Sequence, residues 1–344
     1  MLIGHEVVLV EFLESWELLL GLGVRTTVAA GWRRLRAAAK RVSRRTLKPV
    51  VKASVTRLRT YARVWEHEDL QRAQERAEQR RNYDEEAYAY PWLNDQMTKA
   101  LRLGGTSFRP HFTWGVLHAV HLAKALGVGR ISVIEFGVAG GNGLMSLERI
   151  ADHVESALGI GIEVYGFDTG TGLPKPVDYR DLPNLWQESA FSMDVPRLKE
   201  RLKKARLVLG RVEETLGDFI ASRPAPVGFV SFDLDYYSST THALALLASQ
   251  ETILLPRVHC YFDDIMGFTY SEFTGERLAI AEFNAQHEMR KLAPIHGLRY
   301  YVPPAYANAP WTEQFYLAHL FDHALYNKHD GLHRRYTGAH WKLR

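Results

Sequence analysis

Ile131-Ser132-Val133-Ile134-Glu135-Phe136-Gly137-Val138-Ala139-Gly140-Gly141-Asn142-Gly143 decides how this chain reads. Six residues of strand character run into a glycine-rich turn, and residues 144–158 then have helical spacing. Residues without Cβ tolerate positive φ and let backbone approach a ligand closely, so strand, turn and helix start together imply a nucleotide-like cofactor. The same glycines can serve only to pack a helix on a strand, and the motif alone leaves both readings open. The dinucleotide fingerprint G-x-G-x-x-G is not matched, because Ala139 stands where its second glycine would be, which disfavours a nicotinamide enzyme.

Working outward, the next apolar run ends Val164-Tyr165-Gly166-Phe167-Asp168. It places a carboxylate at a strand end beside the turn, where it is suited to accept hydrogen bonds from ribose hydroxyls. Short β-rich runs at 131–136, 163–167, 206–209, 228–234 and 258–262 alternate with helical segments, which argues an α/β fold with a parallel sheet covered by helices. Runs at 298–302 and 314–321, separated by a loop rich in Pro and Tyr, are expected to form an antiparallel pair at the edge. The total is about seven strands in a Rossmann-like sheet.

Val230-Ser231-Phe232-Asp233-Leu234-Asp235-Tyr236-Tyr237-Ser238-Ser239-Thr240 is followed one crossover later by Tyr261-Phe262-Asp263-Asp264-Ile265. If the two runs are neighbouring parallel strands, their ends lie roughly 5 Å apart and four carboxylates crowd one rim. They repel one another unless protons or a cation intervene, and an all-oxygen cluster favours Mg²⁺, Mn²⁺ or Ca²⁺ over zinc. Asp is also a good helix N-cap, which accounts for one or two of the four. Asp263 and Asp264 are adjacent and cannot both occupy one cap.

Composition narrows the rest. With 46% apolar and 24% charged residues in 344, the chain can bury a sizeable core, which excludes disordered and collagen-like classes. The single cysteine, Cys260, excludes a disulfide framework, fits a reducing compartment and is expected in the core. The net charge of +4 is unevenly spread: residues 18–65 carry 13 Lys or Arg and no acid, and the chain from residue 66 has 30 basic against 35 acidic residues. Apolar spacing around Trp32, Leu35, Ala39 and Val42, and again from Val51 to Trp65, reads as two amphipathic helices broken at Pro49 with basic outer faces. A solvated basic face is the plainer reading. The sharper one is peripheral contact of residues 25–63 with an anionic membrane surface. Residues 66–81 read as an exposed helix or linker, dividing a basic helical segment, 1–82, from a body, 83–344. Glu11, Glu14 and Glu17 interrupt the apolar run at 7–24, which argues against a membrane span, and the first charged residue is Glu6, which argues against a secretory signal. The expectation is a cytoplasmic protein, with the basic segment at the inner membrane face in the sharper reading. No specific nucleic acid partner is expected, and self-association is left open.

In these motifs the sequence resembles the magnesium-dependent sugar O-methyltransferases of the macrocin O-methyltransferase type. The residues that carry the resemblance are Glu135-Phe136-Gly137-Val138 with Gly141, then Phe167-Asp168-Thr169-Gly170-Thr171-Gly172-Leu173-Pro174, Gly210 with Glu214-Thr215-Leu216, the run Asp233 to Thr240, and Asp263-Asp264. The match as a whole spans roughly residues 108–320. The resemblance implies a class I methyltransferase fold, S-adenosylmethionine as cofactor, Mg²⁺ or Mn²⁺ on Asp233, Asp263 and Asp264, and Asp235 as base toward a hydroxyl of a sugar or polyol acceptor. Which of Asp233 and Asp235 faces the ion stays open. Glu135, Gly137, Gly141 and Asp168 carry over to the cofactor site. The chain departs from the family in having Pro256-Arg257-Val258-His259 where paired glycines are usual before the last parallel strand.

Two other functions compete. Asp233-Leu234-Asp235 also fits the D-x-D cation motif of glycosyltransferases, and the fold could persist in a non-catalytic membrane-associated protein. The glycine turn and Asp168 favour the methyltransferase over the first, and the four acids over the second. His242 and His287 are the nearest histidine bases by sequence, and Tyr236, Tyr237, Tyr300, Tyr301 and Tyr306 are candidates to stack on a ring; packing is the commoner role for both types.

Overall fold

The computed structural model describes residues 89–328. The basic segment at 25–63, its break at Pro49 and the boundary between residues 82 and 83 lie outside them. Among the described residues no helix is long and apolar enough to cross a membrane.

Two helices, α1 (Ala89–Gly104) and α2 (Pro110–Ala125), lead into β1 (Arg130–Phe136), α3 (Asn142–Leu158) and β2 (Gly161–Asp168). Then follow α4 (Val195–Arg201), β3 (Arg206–Leu209), α5 (Val212–Ala221), β4 (Val227–Phe232), α6 (Tyr237–Leu244), β5 (Leu254–Phe262), α7 (Gly275–Gln286), β6 (Arg290–Pro294) and β7 (Phe315–Leu320). The seven strands form one sheet in the order β3-β2-β1-β4-β5-β7-β6. The first five are parallel, and β7 runs antiparallel to both β5 and β6. The α/β Rossmann-like sheet with an antiparallel edge expected from the sequence is therefore what forms.

The two-residue period of each strand sorts its side chains between two cores. On one face Ile131, Val133, Val164, Phe229 and Tyr261 pack with α2 and α3. On the other Ile134, Phe136, Phe167, Phe232 and Phe262 pack with α5, α6 and α7, and Cys260 is buried among them. The same period puts Glu135 and Tyr261 on the α2 and α3 side. Across β2, β1, β4 and β5 the last phenylalanines form a row, with ring centroids 4.8 Å (Phe167 to Phe136), 5.6 Å (Phe136 to Phe232) and 4.6 Å (Phe232 to Phe262) apart. The row is fully buried, and it holds four strand ends level at the point where strand order reverses between β1 and β4.

One expected strand is corrected. Residues 298–302 do not extend; Leu298–Tyr300 is a 3-10 turn, and the edge strand is β6, Arg290–Pro294. Gly297, at φ 74°, starts the turn, and Leu298 and Val302 plug the core beside Trp311 and Phe315 rather than alternating between faces. In β6 only Leu292 is buried, so an edge strand with one core-facing residue showed little apolar pattern. Pro256 and Arg257 fall where the β4–β5 register shifts, a bulge that spares the proline an interior ladder bond. Arg257 stacks on the Tyr326 ring, 4.4 Å from its centroid.

Candidate active site

At the end of β1, Gly137 takes φ 84°, and a Cβ there would stand 1.7 Å from the Asp233 carbonyl oxygen. Only glycine lets β1 and the chain leaving β4 come so close. The turn that follows is held from β2: the Val138 and Ala139 N–H groups donate to one Asp168 oxygen at 3.0 and 2.8 Å, and Gly170 N–H donates to the other at 2.6 Å. These bonds keep Ala139 at φ 45°, a left-handed conformation for a residue with a side chain. Asp168 thus shapes the turn and still has lone pairs to offer, since an ionised carboxylate accepts about four bonds.

Asp168 and Gly137 line a cavity of about 300 Å³ whose other walls include Phe167, Leu173, Trp186 and Val212. Part of its lining is acidic, because Asp233, Asp235, Asp263 and Asp264 all line it. One ligand oxygen each from Asp233, Asp263 and Asp264 lies within 4.8 Å of the other two. The expected convergence of β4 and β5 produces this: Asp233 N–H donates to Phe136 O and Asp263 N–H to Phe232 O, each at 3.0 Å, so the acids follow directly on the phenylalanine row. Asp235 is 7% exposed and sits at φ 60°, its N–H donating to Asp264 Oδ2 at 3.1 Å.

Burial and mutual repulsion raise Asp233, Asp235 and Asp264. Desolvation, with the charges of Asp263 and Asp264, lifts Asp233 to about 8, and desolvation with Asp264 and Asp233 lifts Asp235 to about 8. Asp264 rises to about 6 from burial and the charge of Asp263, opposed by the Tyr270 hydroxyl.

Several partners of these acids are not apparent in the sequence. Tyr261 Oη donates to Asp263 Oδ1 at 2.7 Å, Tyr270 Oη to Asp264 Oδ1 at 2.9 Å, and Gln314 Nε2 to the Asp263 carbonyl at 2.7 Å. Glu276, fully buried at the start of α7, accepts from Asp264 N–H at 3.1 Å. Asp181 ties the loop after β2 to α6, accepting from Ser238 N–H at 2.8 Å and Ser238 Oγ at 2.9 Å. These residues come from separate loops and share no sequence spacing with the motifs, so only a Tyr two residues before Asp263 carried any local signal.

Two expected cofactor residues do not reach the cavity wall. Glu135 is 1% exposed, on the α2 and α3 face, with burial raising its pKa well above the carboxylate range. Gly141, at φ 82°, begins α3 and is covered by Leu198. The histidines stand aside: His242 is half-exposed with Nδ1 3.7 Å from Glu213, and His287 stacks on Phe283 at 4.3 Å. None of the five tyrosines lines the cavity. Tyr236 is fully buried, the Tyr237 hydroxyl donates to Glu282 at 2.6 Å, and Tyr306 packs beside Trp311. The cavity's aromatic walls are instead Phe167, Trp186 and Phe191.

No protein-family model and no curated protein matches the sequence. Among solved structures, CalS11, a calicheamicin methyltransferase, is similar at 23% identity and a TM-score of 0.39, covering 63% of this chain and 92% of its own. The O-methyltransferase NovP is 14% identical at a TM-score of 0.37, covering 49% of this chain and 71% of its own. An O-methyltransferase from Bacillus cereus in complex with SAH is 11% identical at 0.33, covering 65% and 89%. At these values the likeness carries no argument, and the fold stands on the strand order itself.

Proposed function

We propose that the chain is an S-adenosylmethionine-dependent O-methyltransferase that uses a divalent cation and acts on a hydroxyl of a sugar or polyol acceptor. The observation that carries this reading is one cavity with two chemistries: a glycine turn with Asp168 at the ends of β1 and β2, and four carboxylates at the ends of β4 and β5. A glycosyltransferase reading uses only the second half.

The residues present fit both groups. Oxygens sharing one Mg²⁺ lie about 3 to 4 Å apart, so small side-chain rotations would bring Asp233, Asp263 and Asp264 from within 4.8 Å onto one ion, and the all-carboxylate donor set suits a hard cation. The apolar walls beside Asp168 suit a purine with its ribose at the carboxylate. When bound, the cofactor supplies an activated methyl group and the cation supplies Lewis-acid stabilisation of a developing alkoxide. The protein's own part is positioning and proton transfer. Tyr261 and Tyr270 each occupy one oxygen of Asp263 and Asp264 and so orient the other. Asp235, held at its left-handed turn beside Asp264, takes the hydroxyl proton. Phe167, Leu173 and Trp186 keep water from the transfer path.

Mass spectrometry of ligand retained through purification tests the class, with S-adenosylmethionine or its demethylated product expected. A retained nucleotide-sugar, with no affinity for S-adenosylhomocysteine in calorimetry, would overturn it in favour of glycosyl transfer. For the metal, Mn²⁺ titration by electron paramagnetic resonance should show one site that Asp263→Asn weakens at least tenfold; equal binding by both proteins would remove the cation from the reading.

A further inference from the structure

Two long connections border the cavity. One, residues 169–194, leaves the end of β2 and supplies Leu173, Trp186 and Phe191 to the lining; the other, residues 263–274, leaves the end of β5 and supplies Asp263 and Asp264. Because β2 and β5 belong to the parallel part of the sheet, both rise from the same edge of it. They adjoin at Gly275, where a Cβ would stand 3.8 Å from Leu182.

Seven of the 13 large apolar residues exposed among the described residues lie on these two connections. The most open are Val177, Tyr179 and Phe191 on the first and Met266, Phe268 and Phe273 on the second, with Phe273 74% exposed and Phe268 wholly uncovered. Single exposed apolar residues are ordinary, whereas a concentration of them marks a contact. The second connection also withdraws its polar groups. Tyr270 Oη turns inward to Asp264 Oδ1 at 2.9 Å, Ser271 Oγ and Thr274 Oγ1 share a hydrogen bond at 3.0 Å, and Glu272, the one charged residue from 265 to 274, pairs with Arg277 on α7. What it leaves unpaired is mainly apolar. Phe268 is no part of the cavity lining, so a ligand held inside the cavity does not cover it.

Charge indicates the occupant. From residue 66 onward the chain has 30 basic against 35 acidic residues, so the body by itself gains nothing from an anionic surface, while residues 18–65 bring 13 Lys or Arg and no acid. A polybasic segment alone holds anionic lipid reversibly and in a salt-sensitive way, and stable attachment takes a second, apolar signal. We propose that residues 265–274 are that second signal, inserting Phe268 and Phe273 into the interface of an anionic lipid bilayer beside the cavity mouth. Which reaction the cavity performs does not enter, since the contact holds for methyl or glycosyl transfer alike.

A dye on the loop tests this in the full chain. Cys260 is the one native thiol and is buried, so Thr269→Cys, at an exposed position, takes a thiol-reactive nitrobenzoxadiazole label and leaves both phenylalanines in place. With vesicles of mixed phosphatidylcholine and phosphatidylglycerol the label's emission should shift to the blue and be quenched by doxyl-labelled lipid. Phe268→Ser combined with Phe273→Ser should weaken vesicle binding in physiological salt by about tenfold or more, with the melting temperature unchanged. A label that stays in water while the chain floats with the vesicles would overturn the proposal and leave the basic segment to bind alone. Absence of any vesicle binding would overturn it too. So would concentration-dependent self-association in sedimentation that the double serine variant abolishes, which would give the loop to a second copy of the chain.

Discussion

Asp235 is the residue on which the proposed chemistry turns, and its environment works against the ionised form a base requires. Burial and the charges of Asp264 and Asp233 raise it to about 8, and Asp233 also stands at about 8. Near neutral pH the cluster therefore holds protons that a cation must displace. Calorimetry of Mg²⁺ or Mn²⁺ binding in buffers of different ionisation enthalpy should show net proton release at pH 7, falling toward zero by about pH 9, with affinity rising over the same interval. No release at pH 7 would mean the acids are already ionised. Asp235→Asn should leave S-adenosylhomocysteine affinity unchanged in calorimetry and lower the rate of methyl transfer to a hydroxyl acceptor by about 10²- to 10⁴-fold, as for a lost general base. A rate within a few fold of wild type would pass the proton to another group, with Asp233 the nearest.

Four strands end in the same way: phenylalanine, then a residue of the site. Phe136-Gly137, Phe167-Asp168, Phe232-Asp233 and Phe262-Asp263 lie in register, and the buried ring row places the acids and the glycine turn at one level. Phe232 stacks against both Phe136 and Phe262. Phe232→Ala should lower stability by about 3–5 kcal/mol through the cavity it leaves, read from the urea midpoint. It should also weaken Mn²⁺ binding, because the strand ends lose their common support. Lost stability with unchanged Mn²⁺ affinity would show that Asp233 and Asp263 are aligned by their main-chain bonds alone. The repeated pair was present in the sequence, but its meaning depended on register. A phenylalanine before an aspartate says nothing until neighbouring strands bring three such pairs, and Phe136-Gly137 with them, side by side.

At the scale of the whole molecule the buried acids couple stability to pH. Asp233, Asp235, Asp264 and Glu276 are all raised in the folded state by burial and neighbouring charges, so the folded chain binds more protons than the unfolded chain from about pH 4, the ordinary carboxylate value, up to the folded values of the three aspartates, about 6 for Asp264 and about 8 for Asp233 and Asp235. Stability without metal should therefore fall as pH rises through that interval. Mg²⁺ or Mn²⁺ should raise the melting temperature more at pH 8 than at pH 5, since at the lower pH protons occupy the site. An equal shift at both values would place the ion elsewhere. The basic segment adds a second whole-molecule expectation. With 13 Lys or Arg and no acid in residues 18–65, the full chain should float with anionic vesicles at low salt, and a chain starting at Glu66 should not. Equal recovery of the two would dismiss the membrane contact.

The sequence by itself determined the sheet class, the turn at Gly137, the strand-end position of Asp168 and the pairing of the two Asp motifs. Each depends on local spacing or on a short crossover between neighbouring strands, which one-dimensional pattern retains. Tertiary structure alone decided that Glu135 faces Arg109 rather than the cavity, because strand alternation assigns a face only once helices cover the sheet. It decided that β6 lies at 290–294, since an edge strand with one buried residue has almost no pattern of its own, whereas 298–302 spends its apolar residues as a plug. It also brought Tyr261, Tyr270, Gln314 and Glu276 onto Asp263 and Asp264. Buried polar atoms take whatever partners the packed loops deliver, and chain separations of up to 51 residues leave no periodic trace of that choice.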